Sequence, residues 1–521
     1  MSGEPPGAGT SSELQAALQR WWGYDAFRPL QERVITSLLA GRDACVVMPT
    51  GGGKSLCYQL PAALQSGRTA VVVSPLVALM QDQVTQLTQM GIPAAALNST
   101  QASSGQSEVV RGLRRGLYRL LYISPERLAR ADTFAWLEQV PISLFAIDEA
   151  HCISEWGHEF RPEYRQLGVL RARFPATPIA AFTASATRRV RHDILAQLQL
   201  RDPDKIIASF HRSNLRYVAC AATAARQRTL LVASLRHHLG ASSTGSIIVY
   251  ASTIARVEQT AAELNASGIA ALAYHGQMDA GARREHQERW MEEEVRVLVG
   301  TLAFGLGINK ANVRAVIHLA LPKSIEQYYQ EAGRAGRDGA PADCLLLWQN
   351  RDAGLLAHFA EATQDPDERE RAWQRYHQIR NFAAAQVCRH RQICVHFGER
   401  WQRENCGACD VCGYQPECWA APAATGAGHA ARLRLPAPPP RAAAPNPEVL
   451  EALKAWRRHT AQAAHMPAFV VLHDSTLEAL CHAPPRTLAE LRQITGFGER
   501  KVARYGDAIL ALLAAHRPAL N

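Results

Sequence analysis

The sequence predicts an α/β protein: two tandem parallel-sheet domains, then a helical segment with a metal-binding cysteine cluster, then a small all-α bundle. Three observations carry this. Short, uninterrupted apolar runs rich in β-branched residues alternate with longer helical patterns over residues 13–204 and again over 205–348, the pattern of strands buried on both faces. A Gly-rich loop links the first of these runs to a helical stretch, which is the local order of a phosphate-binding turn. Five of the twelve cysteines crowd between Cys388 and Cys412.

The elements follow in order. Residues 1–12 are polar, contain Gly and Pro, and are expected to be disordered. In the first α/β domain, Ala44–Met48, Thr69–Ser74, Leu120–Ser124, Leu144–Ile147 and Ile179–Phe182 read as buried strands. In the second they are Ser246–Tyr250, Ala270–Tyr274, Arg296–Gly300, Ala315–Leu319 and Asp343–Leu347. Residues 349–413 read as helices followed by the cysteines. Residues 414–445 form an Ala/Pro-rich linker; no acid occurs from Trp419 to Pro447, and Pro436, Pro438, Pro439 and Pro440 favour an extended spacer. Helical periodicity returns over 446–515, with Leu450, Leu453, Leu477, Leu480, Leu488, Leu491, Ile494, Val502 and Leu510 as the expected core.

Composition bounds the function. A 521-residue chain with 47% hydrophobic and 20% charged residues is globular, not fibrous or disordered as a whole. The longest apolar run, Ala70 to Met80, is broken by Ser74 and Pro75 and falls short of the ~20 residues a membrane span needs. With no basic-then-apolar leader in Met1 to Ser12, a cytoplasmic protein without a membrane partner is expected. The net charge of +10 suits a polyanionic partner, nucleic acid foremost.

The loop Met48-Pro-Thr-Gly-Gly-Gly-Lys-Ser55 carries the first candidate site. Thr50, Gly51, Gly52 and Gly53 let backbone amides turn toward phosphate oxygens, Lys54 would neutralise the β/γ-phosphates, and Ser55 would ligate Mg²⁺. The general pattern asks for a glycine where Met48 stands. Leu144-Phe-Ala-Ile-Asp-Glu-Ala-His151 is an apolar strand ending in two acids: Asp148 is placed to hold Mg²⁺, and Glu149 to orient the attacking water. In Gln330-Glu-Ala-Gly-Arg-Ala-Gly-Arg-Asp-Gly339, Arg334 and Arg337 share one face if the segment is helical. There they would stabilise charge on a transferring phosphoryl group, which places a site between the two domains. Cys388, Cys406, Cys409 and Cys412 give C-x17-C-x2-C-x2-C, a thiolate set that suits tetrahedral Zn²⁺ and also fits an iron–sulfur cluster. Cys394, His396 and Cys418 are alternates.

These motifs together resemble a superfamily 2 helicase, and specifically the RecQ family of DNA helicases. The resemblance implies two RecA-like P-loop domains, with Met48–Ser55 matching the family's own loop. Gly23-Tyr-Asp-Ala-Phe-Arg-Pro-Leu-Gln31 is similar to its adenine motif, which implies that Tyr24 stacks on the base while Arg28 and Gln31 hydrogen-bond it. Asp148–His151 resembles the DEAH box and Thr183-Ala-Ser-Ala-Thr187 a slightly altered motif III. Thr301–Lys310 resembles motif V, and Gln330–Gly339 motif VI. Ser74–Leu79 and Ser124-Pro-Glu-Arg127 look like DNA-backbone motifs, implying contacts from Ser124, Arg127 and Thr301. Cys152-Ile-Ser-Glu-Trp-Gly-His-Glu-Phe-Arg-Pro-Glu-Tyr164 looks like the aromatic-rich loop that couples DNA binding to hydrolysis. Trp156 and Phe160 can stack on bases, Arg161 can meet phosphate, and His158 lies close to the carboxylates in sequence. Glu155 stands where the family more often has Gln. The cysteines resemble the family's zinc subdomain, and residues 446–515 its HRDC bundle, with the Gly496/Gly498 turn and Arg500 and Lys501 as a phosphate-facing surface. That bundle serves either as a nucleic-acid accessory or as a structural or protein-binding module.

The resemblance implies ATP, Mg²⁺ and Zn²⁺ as cofactors, and single-stranded and branched DNA as partners, with a single-stranded-DNA-binding protein or repair proteins beside them. It also implies 3′→5′ movement, a part in recombination and repair, and a nucleoid-associated bacterial setting. One departure stands out. Family members commonly carry a winged-helix domain after the zinc site, yet only 33 residues separate Cys412 from Asn446. The alternative expectation is a DNA-stimulated translocase with weak strand separation.

Overall fold

The structure, a computed structural model, describes residues 10–98, 101, 103–157, 159–240, 244–301, 310–419, 447–463, 471–472, 474–494, 497 and 499–516. The larger of its two compact units contains both sheets and the cysteine segment; the smaller contains the C-terminal bundle.

The first lobe is a seven-stranded sheet: β1 (Ala44–Val47), β2 (Thr69–Val73), β3 (Ala94–Leu97), β4 (Leu120–Ile123), β5 (Ile142–Ile147), β6 (Ile179–Thr183) and β7 (Asp204–Ile207), in the order β3-β4-β2-β5-β6-β1-β7. All its pairings are parallel. The second lobe has six strands: β8 (Leu215–Ala221), β9 (Ser246–Tyr250), β10 (Ala271–Tyr274), β11 (Val297–Gly300), β12 (Val313–His318) and β13 (Ala342–Trp348), in the order β10-β11-β9-β12-β13-β8, again parallel throughout. Strands β1 to β6 are fully buried, because the helices of each crossover cover both faces. All ten expected strands are present. Three more were not expected. β3 is Ala-Ala-Ala-Leu, with almost no β-branched signal; β7 is a half-exposed edge; β8 mixes Arg216 and Cys220 into its apolar pattern.

β5, β6 and β1 are neighbours, so the turns at their C-terminal ends converge. That places the loop after β1, the acids after β5 and Thr183 at the end of β6 on one edge of the sheet, where α/β sites form. At the opposite end, the buried Asp43 carboxylate binds Arg171 at 2.5 Å and accepts from the backbone N–H of Ile179 and Arg201 at 2.9 and 2.7 Å. Removing one partner of such a buried pair costs about 3–5 kcal/mol. Asp43→Ala is expected to lower first-lobe stability by that amount in a urea titration.

The cysteine segment completes the second lobe. Tyr217 N–H donates to the Ala408 carbonyl at 3.0 Å and Ala219 N–H to Asp410 at 3.2 Å, so residues 408–410 cover the open edge of β8. Arg389 grips Asp410 from the helix Arg389–His396, with N–O distances of 2.9 and 2.8 Å.

In the smaller unit, the helices Pro447–Ala463, Asp474–His482, Leu488–Gln493 and Glu499–Ala515 enclose Leu453, Leu477, Leu480, Leu491, Val502, Ile509 and Leu513. Of the expected core, Leu450 and Ile494 are half-buried against this cluster, and two further residues lie outside it. Leu488 is exposed, because it is the first residue of its helix, just after the Thr487 cap. Leu510 is only half-buried; the inward stripe runs through Ile509 and Leu513 instead. Gly496, Gly498 and the Arg500 side chain lie outside what is described, as do residues 1–9, 420–446 and 302–309 of motif V.

Candidate active site at the lobe interface

The helix Lys54–Leu64 opens at Gly53, whose φ is +76°. A Cβ there would come within 2.3 Å of Gln31 Nε2, so the glycine is demanded both by conformation and by space. Gln31 is buried and donates to the Gly53 carbonyl at 3.1 Å; its Oε1 accepts from Arg28 N–H at 2.8 Å. Arg28 in turn donates to the Gly51 carbonyl. The segment around Arg28 and Gln31 is thus fastened to the loop, while the Tyr24 ring stands exposed. Lys54 Nζ donates to the Met48 carbonyl at 3.2 Å. Loss of water pulls its pKa down, opposed by the charges of Glu149 and Asp148. Ser55 lies in the first turn of the same helix. Thr50 faces the other lobe: its Cβ would lie 3.7 Å from a Cβ on Gly333.

Asp148 is buried at the end of β5, and burial together with the adjacent Glu149 raises its pKa, against the pull of Lys54. Glu149 sits at φ +46°, a conformation non-glycine residues seldom adopt outside functional turns. It turns its carboxylate to His151 Nδ1 at 3.2 Å. The same nitrogen lies 3.0 Å from Thr183 Oγ1, and Thr183 Oγ1 accepts from Ser185 N–H at 3.3 Å. Gln330 Nε2, from the second lobe, donates to Ser185 Oγ at 2.7 Å. Carboxylate, imidazole, hydroxyls and carboxamide therefore form one contiguous set of contacts from the DEAH turn to motif VI.

The helix expected to carry Arg334 and Arg337 ends before them: it spans Ile325–Ala332, with Gly333 as its cap. The arginines lie on successive turns around Gly336, at φ +54°. Arg212 explains why the segment holds this shape. From the connection between β7 and β8, it donates to the carbonyls of Gly333, Ala335 and Gly336 at 3.2, 3.0 and 2.8 Å, and to Thr50 of the phosphate loop at 3.3 Å. A Cβ on Gly51 would come 3.0 Å from Arg337 Cγ, so Arg337 lies against the loop. Arg334 hydrogen-bonds Tyr250. Burial, then Arg334 and Arg212, pull the Arg337 pKa down. Three guanidinium groups crowded against a loop of inward-turned amides make a site for a polyanion.

The aromatic loop reaches the carboxylates through Tyr164, whose buried hydroxyl donates to the Asp148 carbonyl at 2.9 Å. Trp156 and Phe160 are each 37% exposed. Trp156 lies between Arg189, 3.0 Å from the ring centre, and Arg371 of the helix Pro366–Ala384, at 5.3 Å. Arg165 lies 5.8 Å over Phe160 and pairs with Glu155 at 3.1 Å. Arg161 precedes the short helix Pro162–Arg165; His158 lies outside the described residues. Ser124 caps the helix Pro125–Leu128, and Arg127 is buried against Asp132 and Thr133, so its guanidinium braces that loop. Thr301 N–H donates to the Tyr274 carbonyl at 3.3 Å.

The sulfurs of Cys388, Cys406, Cys409 and Cys412 lie within 4.8 Å of one another. Backbone N–H groups of Arg389 and Ala408 point at Cys409 and Cys406 Sγ, at 3.5 and 3.3 Å. Four converging sulfurs with N–H donors fit a thiolate-bound cation. Cys394 and Cys418 stand outside this group, and His396 binds Glu326 at 2.6 Å.

Arg212, Tyr164, Arg189 and Arg371 were not singled out in the sequence. The one available signal was Arg212-Ser-Asn214, a polar cluster at the junction of the two domains.

Two parallel-sheet lobes meeting over a phosphate loop define a superfamily 2 helicase core, and models of known families agree. The DEAD/DEAH box helicase model matches residues 28–194 and the helicase conserved C-terminal domain residues 230–339. The RecQ zinc-binding model matches 350–413 and the HRDC domain 446–513. The ATP-dependent DNA helicase RecQ of Pasteurella multocida is 43% identical over 391 residues, covering 75% of this chain and 61% of that protein. The Bacillus subtilis protein of the same name is 39% identical over 402 residues, covering 76% and 66%. The chain belongs to the RecQ family, and it spans about six-tenths of the length of the curated relatives it matches. Among solved structures, the Mycobacterium smegmatis helicase Lhr bound to ssDNA and AMP-PNP superposes with a TM-score of 0.51 at 18% identity, covering 70% of this chain and 50% of that one. S. cerevisiae Dbp5 bound to RNA and ADP BeF3 gives 0.52 at 17%, covering 68% and 92%. These two share the fold.

Proposed function

We propose that the chain is an ATP-driven DNA helicase that moves 3′→5′ on single-stranded DNA and separates duplexes, in the service of recombination and repair. The observation that carries this is Arg212 bonded at once to the phosphate loop and to the turn bearing Arg334 and Arg337, because it makes nucleotide occupancy and lobe position one event. In this reading the loop amides and Lys54 bind the triphosphate, with Tyr24, Arg28 and Gln31 at the base. Ser55 and Asp148 would hold Mg²⁺, which would supply positive charge to offset that of the phosphates. Glu149 orients the attacking water, Arg334 and Arg337 stabilise the departing phosphate, and Gln330 reports lobe closure to the hydroxyls beside His151. Single-stranded or branched DNA lies across both lobes, held through phosphates and so weakened by salt, with Trp156, Phe160 and Arg161 at the strand. Relatives named as ATP-dependent DNA helicases support the reading. Domain limits at 204, 348 and 413, and a cytoplasmic, nucleoid-associated setting, belong to it. Among the described residues no helix is long and apolar enough to cross a membrane.

The cation at the four cysteines is Zn²⁺ and structural, since four thiolates leave no open position. Cys409→Ser is expected to reduce bound zinc from about one per chain to near none by atomic absorption, and to destabilise the segment that covers β8.

The short interval between Cys412 and Asn446 favours a second reading, a translocase with weak strand separation. One experiment decides: a duplex with a 3′ tail beside one with a 5′ tail, with strand separation and ATP turnover followed together. Separation on the 3′ tail alone is expected. ATP turnover without separation selects the translocase, and no DNA-stimulated turnover overturns both.

A further inference from the structure

A second group of soft ligands lies just beyond β5. His151, Cys152 and Glu159 each offer one ligand atom, all within 4.8 Å of one another. Cys152 Sγ is 3.8 Å from His151 Nε2, and Glu159 Oε2 is 3.9 Å from the same nitrogen. With Zn–N near 2.0–2.1 Å and Zn–S near 2.3 Å, a tetrahedral ion separates nitrogen and sulfur by about 3.6 Å. The nitrogen–sulfur and nitrogen–oxygen pairs thus need to close by only a few tenths of an ångström, with sulfur and oxygen within 4.8 Å of each other. The other face of the imidazole is already oriented: Nδ1 lies against Glu149 at 3.2 Å and Thr183 at 3.0 Å. A carboxylate behind the ring is how ligating histidines are aimed and made more basic. Burial pulls this imidazole toward its neutral form, but Cys152, Glu149 and Glu159 outweigh it and raise its pKa; a proton on the ring therefore competes with the ion, and uptake should strengthen as pH rises. His151 and Cys152 are buried, while Glu159 is partly open to solvent, which gives an ion a way in.

We propose that His151 Nε2, Cys152 Sγ and Glu159 Oε2 form an inhibitory site for a borderline-soft divalent cation of the Zn²⁺ class, with water as fourth ligand. Nitrogen and sulfur donors select against Mg²⁺, which prefers oxygen. Binding forms metal–sulfur, metal–nitrogen and metal–oxygen bonds and releases the Cys152 thiol proton, and any proton on Nε2, to solvent; nothing is oxidised. The ion ties Glu159 of the aromatic loop to the carboxylate turn and polarises the Nδ1–H that holds Glu149. The loop can then no longer move independently of Glu149, and ATP turnover slows. This last effect rests on the ATPase reading; metal uptake does not.

The test uses the full chain with its four-cysteine site filled by one equivalent of Zn²⁺, then titrated with Co²⁺. One further equivalent is expected, with the near-ultraviolet thiolate-to-cobalt band and the visible absorption of a tetrahedral ion. Cys152→Ser should remove that band. Glu159→Gln, at a partly exposed position that leaves the core intact, should weaken uptake at least tenfold while circular dichroism stays unchanged. No second equivalent, or uptake of the same strength in both variants, overturns the site. Zn²⁺ that binds in a Glu159-dependent way without slowing DNA-stimulated ATP turnover overturns its inhibitory role.

Discussion

Lys54→Ala is expected to lower DNA-stimulated ATP turnover by at least about 10²–10³-fold, the loss seen when one preorganised charge donor is removed from a transition state. Affinity for single-stranded DNA should stay within about threefold in a fluorescence-anisotropy titration. The separation of the two effects follows from geometry. Lys54 faces Met48, Asp148 and Glu149, whereas Trp156 and Phe160 stand exposed beyond Tyr164. Without the ammonium, the acids lose the neighbouring cation that offsets their mutual repulsion, and the phosphates lose their principal counter-charge. Turnover retained in this variant would sink the assignment of the loop.

Arg337→Ala is expected to cost about 10³-fold in turnover or more, the scale of a missing arginine finger, equivalent to about 4 kcal/mol. The nucleotide should still bind, because the loop amides and Lys54 remain; filter binding of a non-hydrolysable analogue distinguishes the two steps. Arg337→Lys should not rescue, since a point charge cannot reproduce the planar fork. A variant that hydrolyses ATP normally would remove Arg337 from the reaction.

Much of this site was legible in the sequence because its chemistry is local. Gly51 to Ser55, Asp148 and Glu149 are contiguous runs whose positions follow from strand–loop–helix order, and β5, β6 and β1 bring them together as parallel topology requires. What was not legible depends on distant backbone. Arg212 works through carbonyls, which leave no trace in side-chain spacing. Arg334 and Arg337 kept their place but not their helix, since two glycines and those same carbonyl contacts end it. β3 was missed because three alanines carry no strand preference; it is a strand because β4 offers it a ladder. Arg127 matched a DNA-backbone motif, yet Asp132 sits within reach and turns its guanidinium inward.

The edge of β8 has a consequence for how the chain is made. β8 is the first strand of its sheet to leave the ribosome, but its ladder partner β13 ends at Trp348, and its outer edge is covered by the segment Ala408 to Asp410. At 5–20 residues per second, the roughly sixty residues between Trp348 and Cys409 take about 3–12 seconds to synthesise. Through that interval the nascent second lobe presents an unpaired strand, the template on which chains aggregate. On the proposed Zn²⁺ reading of the four cysteines, metal supply becomes a quality-control step, because a chain that emerges without the ion would keep that edge open.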